Sequence, residues 1–327
     1  MIKQMEFNFH KKTNNNIGKY KAIDLFSGIG GIRLGFQNVF HDDLQFVMSS
    51  EIDSYAQKTY NANFDDLQYG DITKIKEEEI EKHDFILAGF PCQAFSIAGL
   101  RKGFEDTRGT LFFDVARIAQ HHKPKVIFLE NVKGFVNHDK GNTFEVIKKT
   151  LEDMGYTIFT KILNAKDFGV PQNRERIYIV AFLGENINFS FPEKIDYNIK
   201  LGDILDDYVD PKYTISDKLW AGHKRRKEEH KIKGNGFGYC LFNQESKYTS
   251  TISARYYKDG SEILIEQKNM NPRKLTPREA ARLQGFPEEF DIVTSDTQAY
   301  KQFGNSVAVP VVEAIAKNIK KTLEKNS

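Results

Sequence analysis

A cysteine follows a proline in the stretch GFPCQAFS, residues 89–96, directly behind the apolar run DFILA. A strand is expected to end there, so Cys92 would lie at the edge of a sheet, where a thiolate can act as a nucleophile. The only other cysteine is Cys240, and the two make no C-x-x-C pair. This spacing disfavours a disulfide scaffold and a cysteine zinc site, and the scattered histidines show no metal spacing.

A carboxylate ends the next predicted strand, KVIFLEN, residues 125–131. The residues before Glu130 are apolar and would carry it into a confined site near Cys92. A thiol and a carboxyl group on neighbouring strand ends form a nucleophile and acid constellation. Taken alone, Glu130 would instead be an ordinary solvated loop carboxylate.

A glycine-rich turn, DLFSGIGG at 24–31, joins the first predicted strand to the first helix. Glycines there let the backbone approach a cofactor closely. Arg33 occupies the position where the dinucleotide fingerprint needs a third glycine, which disfavours a nicotinamide oxidoreductase. Glu51, at the end of the second strand, can accept hydrogen bonds from ribose hydroxyls, and Asp71 can bind an adenine amino group. These residues indicate a nucleoside cofactor across the strand ends.

The elements that must position these residues alternate along the first half of the chain. Strands are predicted at 21–26, 44–49, 84–90, 125–131, 156–164 and 176–182, and helices at 53–63, 72–82, 110–122, 143–154, 276–286 and 309–325. This order predicts an α/β protein with a doubly wound, mostly parallel, Rossmann-like sheet.

Four parts of the chain are expected: a mobile N-terminal tail (1–19), a catalytic and cofactor-binding domain (20–183), an inserted irregular domain (184–272) and a segment that returns to the catalytic domain (273–327). No apolar run approaches the roughly 20 residues of a membrane span, and the N-terminus lacks the apolar centre of a signal peptide. The cytoplasm is the expected compartment. A net charge of +2 neither requires nor excludes nucleic acid.

Six motifs resemble, in order and spacing, those of the bacterial DNA (cytosine-5)-methyltransferases of restriction–modification systems. They are DLFSGIGG, GFPCQAFS, ENV, QNRERIY, RKLTPREAARLQGFP and QAYKQFGNSVAVP, within about residues 20–183 and 273–325. Six motifs in one order are far more specific than any single motif. The resemblance implies S-adenosylmethionine as methyl donor, S-adenosylhomocysteine as product, no metal, and a cytosine that is flipped out of duplex DNA.

The resemblance also implies residue roles. Cys92 would add to C6 of the cytosine and Glu130 would hold or donate a proton at N3. Arg174 and Arg176 would lie near O2 of the base and the flanking backbone. The alternative is that both arginines belong to an exposed strand edge of alternating charges. The implied cofactor-binding residues are Phe26, Gly28, Gly31, Glu51, Ile52, Asp71, Pro91, Leu111, Asn305, Ser306 and Val307.

Three of these cofactor positions need comment. Ile52 stands where family members often have Trp, which weakens adenine stacking but keeps an apolar contact. Asn305 and Ser306 in GNSV also suit the cap of a helix N-terminus, and both roles are compatible.

DNA contact is expected from two parts of the chain. Residues 96–109 look like a mobile loop that closes over DNA, with a plain surface loop as the alternative. In the inserted domain, 185–210 carries a net charge of −5 and 211–272 a net charge of +5, so the second half is the expected DNA face. There, 223–233 suits phosphate binding or a solvated charged helix. The candidate DNA-binding residues are Phe90, Arg101, Lys102, Arg108, Thr251 and Arg255.

Two rival functions keep the same motifs. A tRNA cytosine-5 methyltransferase would share the catalytic residues, but the locally basic insert favours duplex DNA. A non-catalytic DNA-binding relative would be expected to lack Cys92 or Glu130, and both are present. A monomer is expected, with a cognate restriction endonuclease acting separately. The recognition sequence and the acceptor of the C5 proton stay open.

Overall fold

The computed structural model of the chain describes residues 18–66, 68–91, 111–195, 197–234, 236 and 238–325. Cys92 and the predicted loop at 96–109, with Arg101, Lys102 and Arg108, lie outside the described residues.

The chain divides into two compact units. Within the described residues, the sheet unit comprises 18–164, Glu175–Glu193 and 311–325, and the second unit comprises Ala165–Arg174 and Lys194–Pro310. Residues 273–310 thus group with the residues after 194, whereas the sequence placed them with the catalytic domain. The functional division at 184 and 272 stays a prediction.

The sheet unit contains a seven-stranded sheet with the order β3-β2-β1-β4-β5-β7-β6. Strands β1 to β5 pair in parallel, and β7 is antiparallel to both β5 and β6. The strands are β1 Tyr20–Leu25, β2 Leu44–Ser50, β3 Gln68–Tyr69, β4 Phe85–Ala88, β5 Val126–Val132, β6 Tyr156–Asn164 and β7 Glu175–Leu183. This topology confirms the α/β, mostly parallel sheet.

The described residues form eight α-helices. They are α1 Gly31–Phe40, α2 Ser54–Asn63, α3 Phe112–His122, α4 Asn142–Asp153, α5 Asp217–Ile232, α6 Pro277–Leu283, α7 Asp296–Asn305 and α8 Val309–Lys325. Helix α5 covers most of the charged stretch 223–233, and whether this helix binds phosphates stays a prediction. Helices α6 and α8 confirm that helical pattern returns after the irregular stretch.

The core of the sheet unit lies on both faces of the sheet. On one face, Ile86, Leu129 and Ile177 pack with the buried sides of α3 and α4. On the other face, Phe36 of α1 makes edge contacts with Phe85 and Phe128. Because the strands are buried on both faces, their apolar runs are continuous, as parallel sheets require.

The helix predicted at 72–82 is wrong. Two short 3₁₀ turns, Ile72–Lys74 and Glu77–Glu79, occupy this stretch, with extended backbone at Lys76. The carbonyl of Ile72 accepts a hydrogen bond from Arg117 of α3, and the carbonyl of Glu77 bonds the ring of His122. Tertiary hydrogen bonds therefore satisfy carbonyl groups that a helix would have used internally.

The second unit has little sheet. Two-residue strands, β8 Leu241–Phe242 and β9 Leu264–Ile265, pair in parallel. Helix α6 begins with a capping box in which Thr276 and Glu279 exchange hydrogen bonds. Glu279, fully buried, also receives both terminal nitrogens of Arg273 at 2.8 Å. Across the described part of the chain, no helix is long and apolar enough to cross a membrane.

Candidate active site

The turn after β1 is held against the end of β2. The backbone N–H of Ser27 donates to the carbonyl of Ser50 at 3.0 Å, and that of Gly28 donates to Glu51 Oε2 at 2.9 Å. Phe26 and Gly28 both have positive φ, 57° and 55°. A left-handed conformation at a residue with a bulky side chain is strained, and such strain is concentrated at functional sites.

Glu51 keeps capacity for a ligand. Its Oε1 accepts the backbone N–H of Asp53 at 2.8 Å, so each carboxylate oxygen takes one backbone donor here. A carboxylate oxygen can accept a further bond, as a ribose hydroxyl would require. The next residue, Ile52, is 75% exposed, an apolar side chain left available at the same strand end.

Two glycines of the turn differ in what surrounds them. A Cβ on Gly28 would meet nothing within 4 Å, whereas a Cβ on Gly30 would lie 2.2 Å from the ring of Phe64. Gly31 is buried and begins α1. Gly28 therefore leaves open space beside Glu51, and Gly30 serves the packing of the turn.

Asp71 follows β3, whose end is joined to β2 by the hydrogen bond from Glu51 N–H to the Tyr69 carbonyl. Its Oδ1 accepts the N–H and the hydroxyl of Thr73, at 3.1 and 2.7 Å, and these bonds hold its pKa below the ordinary value. Lys74 lies 3.6 Å from Oδ2. The predicted contact with an adenine amino group stays a prediction.

A buried acid underlies this edge. Asp24 of β1 is completely buried, and neither carboxyl oxygen has a hydrogen-bond partner among the described residues. Burial raises the pKa of Asp24 to about 8, with the Glu51 charge adding to the effect and the Arg33 charge opposing it. Arg33 itself is ion-paired with Asp66 and donates to Tyr60 at 2.8 Å. Arg33 thus has a structural role in α1.

The predicted acid, Glu130, lies at the carboxyl edge beside the end of β4. Its Oε1 is 3.1 Å from Nε of Arg176 on β7, and the two side chains are 11% and 15% exposed. A Cβ on Gly89 would lie 3.6 Å from Glu130 Oε2. The structure therefore brings Glu130 and Arg176 together next to the chain that leaves β4 toward Cys92.

The other predicted residues near this edge are placed as follows. Phe90 is 5% exposed, and its ring packs on Phe112 and Phe135. Such a core position does not favour the predicted contact of Phe90 with DNA, which stays a prediction. Pro91 is exposed, and Leu111 is half-buried directly before α3.

Arg174 lies in the second unit and is 3% exposed. Its guanidinium donates to the backbone carbonyls of Ile252, Gly304 and Ser306, at 3.1, 3.2 and 2.6 Å. These bonds join segments far apart in sequence and favour a structural role. The predicted catalytic role of Arg174 stays a prediction.

Sequence reasoning missed two buried glutamines that complete this network. Gln172 accepts the N–H of Ile252 at 3.1 Å and donates to the Leu283 carbonyl and to Gln284 Oε1, at 3.0 and 3.1 Å. Gln284 donates to the Phe303 carbonyl at 2.6 Å. We call Gln172, Arg174 and Gln284 with their backbone partners the amide network. Both glutamines fall inside quoted motifs, which is the one signal that could have found them.

The remaining candidates of the second unit differ in exposure. Arg255 is exposed, and its side chain makes no ion pair with the described residues. Thr251 donates to the Asn173 carbonyl at 2.7 Å. Asn305 ends α7, Ser306 is its C-cap and Val307 is 5% exposed. No group of side chains in the described residues is arranged to hold a metal ion.

A family model described as C-5 cytosine-specific DNA methylase matches residues 20–321. The chain is 60% identical over 317 residues to Type II methyltransferase M1.ScrFI of Lactococcus lactis subsp. cremoris, covering 96% of this chain and 81% of that protein. It is 61% identical over 315 residues to Type II methyltransferase M.SsoII of Shigella sonnei, covering 95% and 83%.

Among solved structures, the S. pombe Dnmt2 methyltransferase superposes with a TM-score of 0.78 at 23% sequence identity, covering 94% of this chain and 99% of that chain. At that identity the likeness concerns the fold.

Proposed function

We propose residue roles for the reaction of this chain, which belongs to the C-5 cytosine-specific DNA methylase family. The activity, DNA (cytosine-5)-methylation, follows from that membership. The observation that supports the residue assignment best is Glu130, held by Arg176 at 3.1 Å beside the end of β4. From the end of β4 the chain continues through Pro91 to Cys92.

S-adenosylmethionine fits the residues at the ends of β1 and β2. Glu51 has spare acceptor capacity for ribose hydroxyls, and the exposed Ile52 offers an apolar surface to adenine. The open space beside Gly28 admits a ligand where a Cβ would stand. When bound, this cofactor supplies an electrophilic methyl group on a sulfonium. Phe26, Gly31, Asp71, Pro91, Leu111 and the trio 305–307 remain proposed cofactor residues.

The chain must make C5 of cytosine nucleophilic, because an aromatic ring carbon is otherwise unreactive. The Cys92 thiolate adds to C6, the C5–C6 double bond shifts to C4–C5, and the displaced electron pair at N3 takes a proton from Glu130. C5 is then part of an enamine and bonds the methyl carbon, while the bond from that carbon to the donor sulfur would break and leave S-adenosylhomocysteine. Loss of the C5 proton and breakage of the C6–S bond restore the ring, and the N3 proton returns to Glu130.

Arg176 holds the carboxyl group of Glu130 while this proton moves. Because both side chains are nearly buried, a charged partner within hydrogen-bond distance fixes the direction of the carboxylate. Fixed polar groups aimed at the position where charge develops stabilise a transition state without reorganisation. The cytosine must leave the duplex to reach the site, since a stacked base cannot be attacked at C6.

Recognition of a short DNA sequence is proposed for the inserted domain, 184–272. The exposed guanidinium of Arg255 is free of ion pairs within the described residues and suits a base edge or a phosphate. Thr251 lies four residues before it. The names of both bacterial relatives as Type II methyltransferases support a role in restriction–modification. We further propose a monomeric enzyme in a bacterial cytoplasm, with a separate cognate endonuclease.

Methyl transfer from labelled S-adenosylmethionine to duplex DNA, compared with tRNA, tests this function. We expect labelled DNA, unlabelled tRNA and no turnover by Cys92→Ser, while DNA binding by that variant survives. Cys240→Ser is the matched control, because Cys240 is exposed in the second unit and has no assigned role. Label in tRNA alone would contradict DNA as the substrate. Full turnover by Cys92→Ser would show that Cys92 is not the nucleophile.

A further inference from the structure

Asn131, the middle residue of ENV, joins the ends of two neighbouring parallel strands. Its Nδ2 donates to the backbone carbonyl of Phe90 at 2.9 Å, and its Oδ1 accepts the backbone N–H of Val132 at 2.8 Å. The residue is 4% exposed. Both ends of the amide are therefore committed to backbone groups, one on its own strand and one beyond the end of β4.

The carbonyl of Phe90 needs this donor because the chain has left the sheet. The pairing of β4 with β5 ends at Ala88 and Leu129, so the ladder between these strands supplies no donor to this carbonyl. A buried carbonyl without a donor costs about 1–3 kcal/mol. The ring of Phe90 also packs on Phe112 and Phe135. Side chain and carbonyl of Phe90 are thus both held in place.

Consecutive residues of β5 perform complementary tasks. Glu130, the proposed acid, is held from β7 by Arg176. Asn131 holds the chain that comes out of β4. One rigid peptide unit joins Glu130 to Asn131, so the residue that carries the proposed acid and the residue that anchors the chain leaving β4 have a fixed backbone spacing.

We infer that Asn131 is a positioning residue, which sets the point where the chain leaves β4 relative to Glu130. The inference rests on the proposed function, in which the same chain leads to the nucleophile Cys92. It assigns to Asn131 an effect on rate beyond its effect on stability. A displacement of about 1 Å between reacting groups costs about 100-fold in rate.

Asn131→Asp and Asn131→Ala test this inference. Asp keeps the shape and the acceptor for Val132 but sets a carboxylate oxygen against the Phe90 carbonyl, and Ala removes both bonds. Three quantities are measured: the single-turnover rate of methyl transfer, the Kd of the methyl donor, and tritium release from [5-³H]cytosine in duplex DNA without donor, which follows thiolate addition. We expect both rates to fall about 100-fold, with the Kd changed less than about threefold.

Two asparagines serve as controls in the same unit. Asn63 is 2% exposed and donates to the Thr59 carbonyl at 2.8 Å, so it matches Asn131 in burial. Asn318 donates to the Ser190 carbonyl at 2.9 Å and matches it in joining distant segments. Their Ala variants should lose stability in the same way while keeping single-turnover rates within about threefold of wild type.

Wild-type rates in Asn131→Ala, or equal rate losses in Asn131→Ala and Asn63→Ala, would overturn the inference. Should the Asp and Ala variants fail to fold, Asn131→Ser, which keeps a hydroxyl donor on a shorter side chain, takes their place. About 10-fold slower transfer by Ser supports the inference, and an unchanged rate overturns it. A wild-type protein that methylates no DNA would instead refute the proposed function, so the two failures are distinguishable.

Discussion

The carboxyl edge of the sheet and the amide network of the second unit use their hydrogen-bonding groups differently. At the edge, Glu51 binds one backbone donor with each oxygen, Ile52 is exposed and Gly28 faces open space. In the network, Gln172 uses its acceptor once and its donor twice on buried partners. The edge can therefore receive a ligand, whereas the network holds segments together. Substitutions at the edge should impair binding or rate, and substitutions in the network should impair folding.

The largest effect is expected at the edge, from Glu130→Gln. The amide keeps the shape but cannot give a proton to N3, so single-turnover methylation should fall about 1,000-fold while the melting temperature changes little. Glu175→Gln is the control, because Glu175 forms a similar 3.0 Å ion pair with Lys133 on an exposed surface. A rate loss below about tenfold would show that Glu130 does not donate the proton to N3.

Gln172→Ala should give the largest loss of stability. It leaves the Ile252 N–H, the Leu283 carbonyl and Gln284 Oε1 without a buried partner, which costs about 4 kcal/mol in total. Urea unfolding measures this loss. Gln267→Ala, at a half-buried glutamine bonded to Thr214 and Asn271, should cost about 1 kcal/mol. Equal losses from both variants would contradict the distinction between network and surface.

The glycine pair separates packing from ligand binding within the edge. Gly30→Ala would drive a Cβ into Phe64 at a φ of 83°, and should destabilise the protein by about 3 kcal/mol. Gly28→Ala meets no atom and should cost about 1 kcal/mol for its positive φ. We expect Gly28→Ala to weaken donor binding in calorimetry at least about tenfold, since a methyl group enters the ligand space. Unchanged binding would place the cofactor elsewhere.

The smallest effect concerns acid stability of the sheet unit. Burial lowers the pKa of His83 to about 4, because the residue is only 3% exposed. The unfolded chain then binds more protons between the unfolded pKa near 6.5 and the folded pKa near 4, so stability falls as pH falls through that window. Between pH 7 and pH 5 this amounts to about 2 kcal/mol.

His83→Gln should flatten that acid slope in denaturant unfolding measured from pH 7 to pH 5. His41→Gln, at an exposed histidine, should leave it as in wild type. Identical slopes in all three proteins would show that His83 does not limit acid stability.

The same comparison explains what could be predicted from sequence. The edge was predictable because its glycines, its strand-end glutamate and the apolar runs before them are close in sequence. Gly28 and Glu51 follow two neighbouring strands, so the hydrogen bond between them could be expected. The network was not, because Gln172 bonds backbone groups 80 and 111 residues away. Gln284 bonds the carbonyl of Phe303, 19 residues away, and neither glutamine leaves a periodic pattern. Asn131 escaped notice for the same reason, since its partner Phe90 lies on another strand.

The helix expected at 72–82 failed for a related cause. Arg117 and His122 on α3 bind carbonyls of that stretch, so contacts from a distant helix override its local preference. The motif gave the position of Arg174 but not the three backbone carbonyls that its guanidinium bonds, and its predicted catalytic role stays a prediction.

The most direct test of the central claim is bisulfite sequencing of DNA from bacteria that express this chain, beside bacteria that express Cys92→Ser. The account predicts protected cytosines at one position of one short sequence with the wild-type chain and none with the variant. Cytosines that stay unprotected with the wild-type chain, or protection that persists with Cys92→Ser, would contradict methylation at C5 through that thiolate.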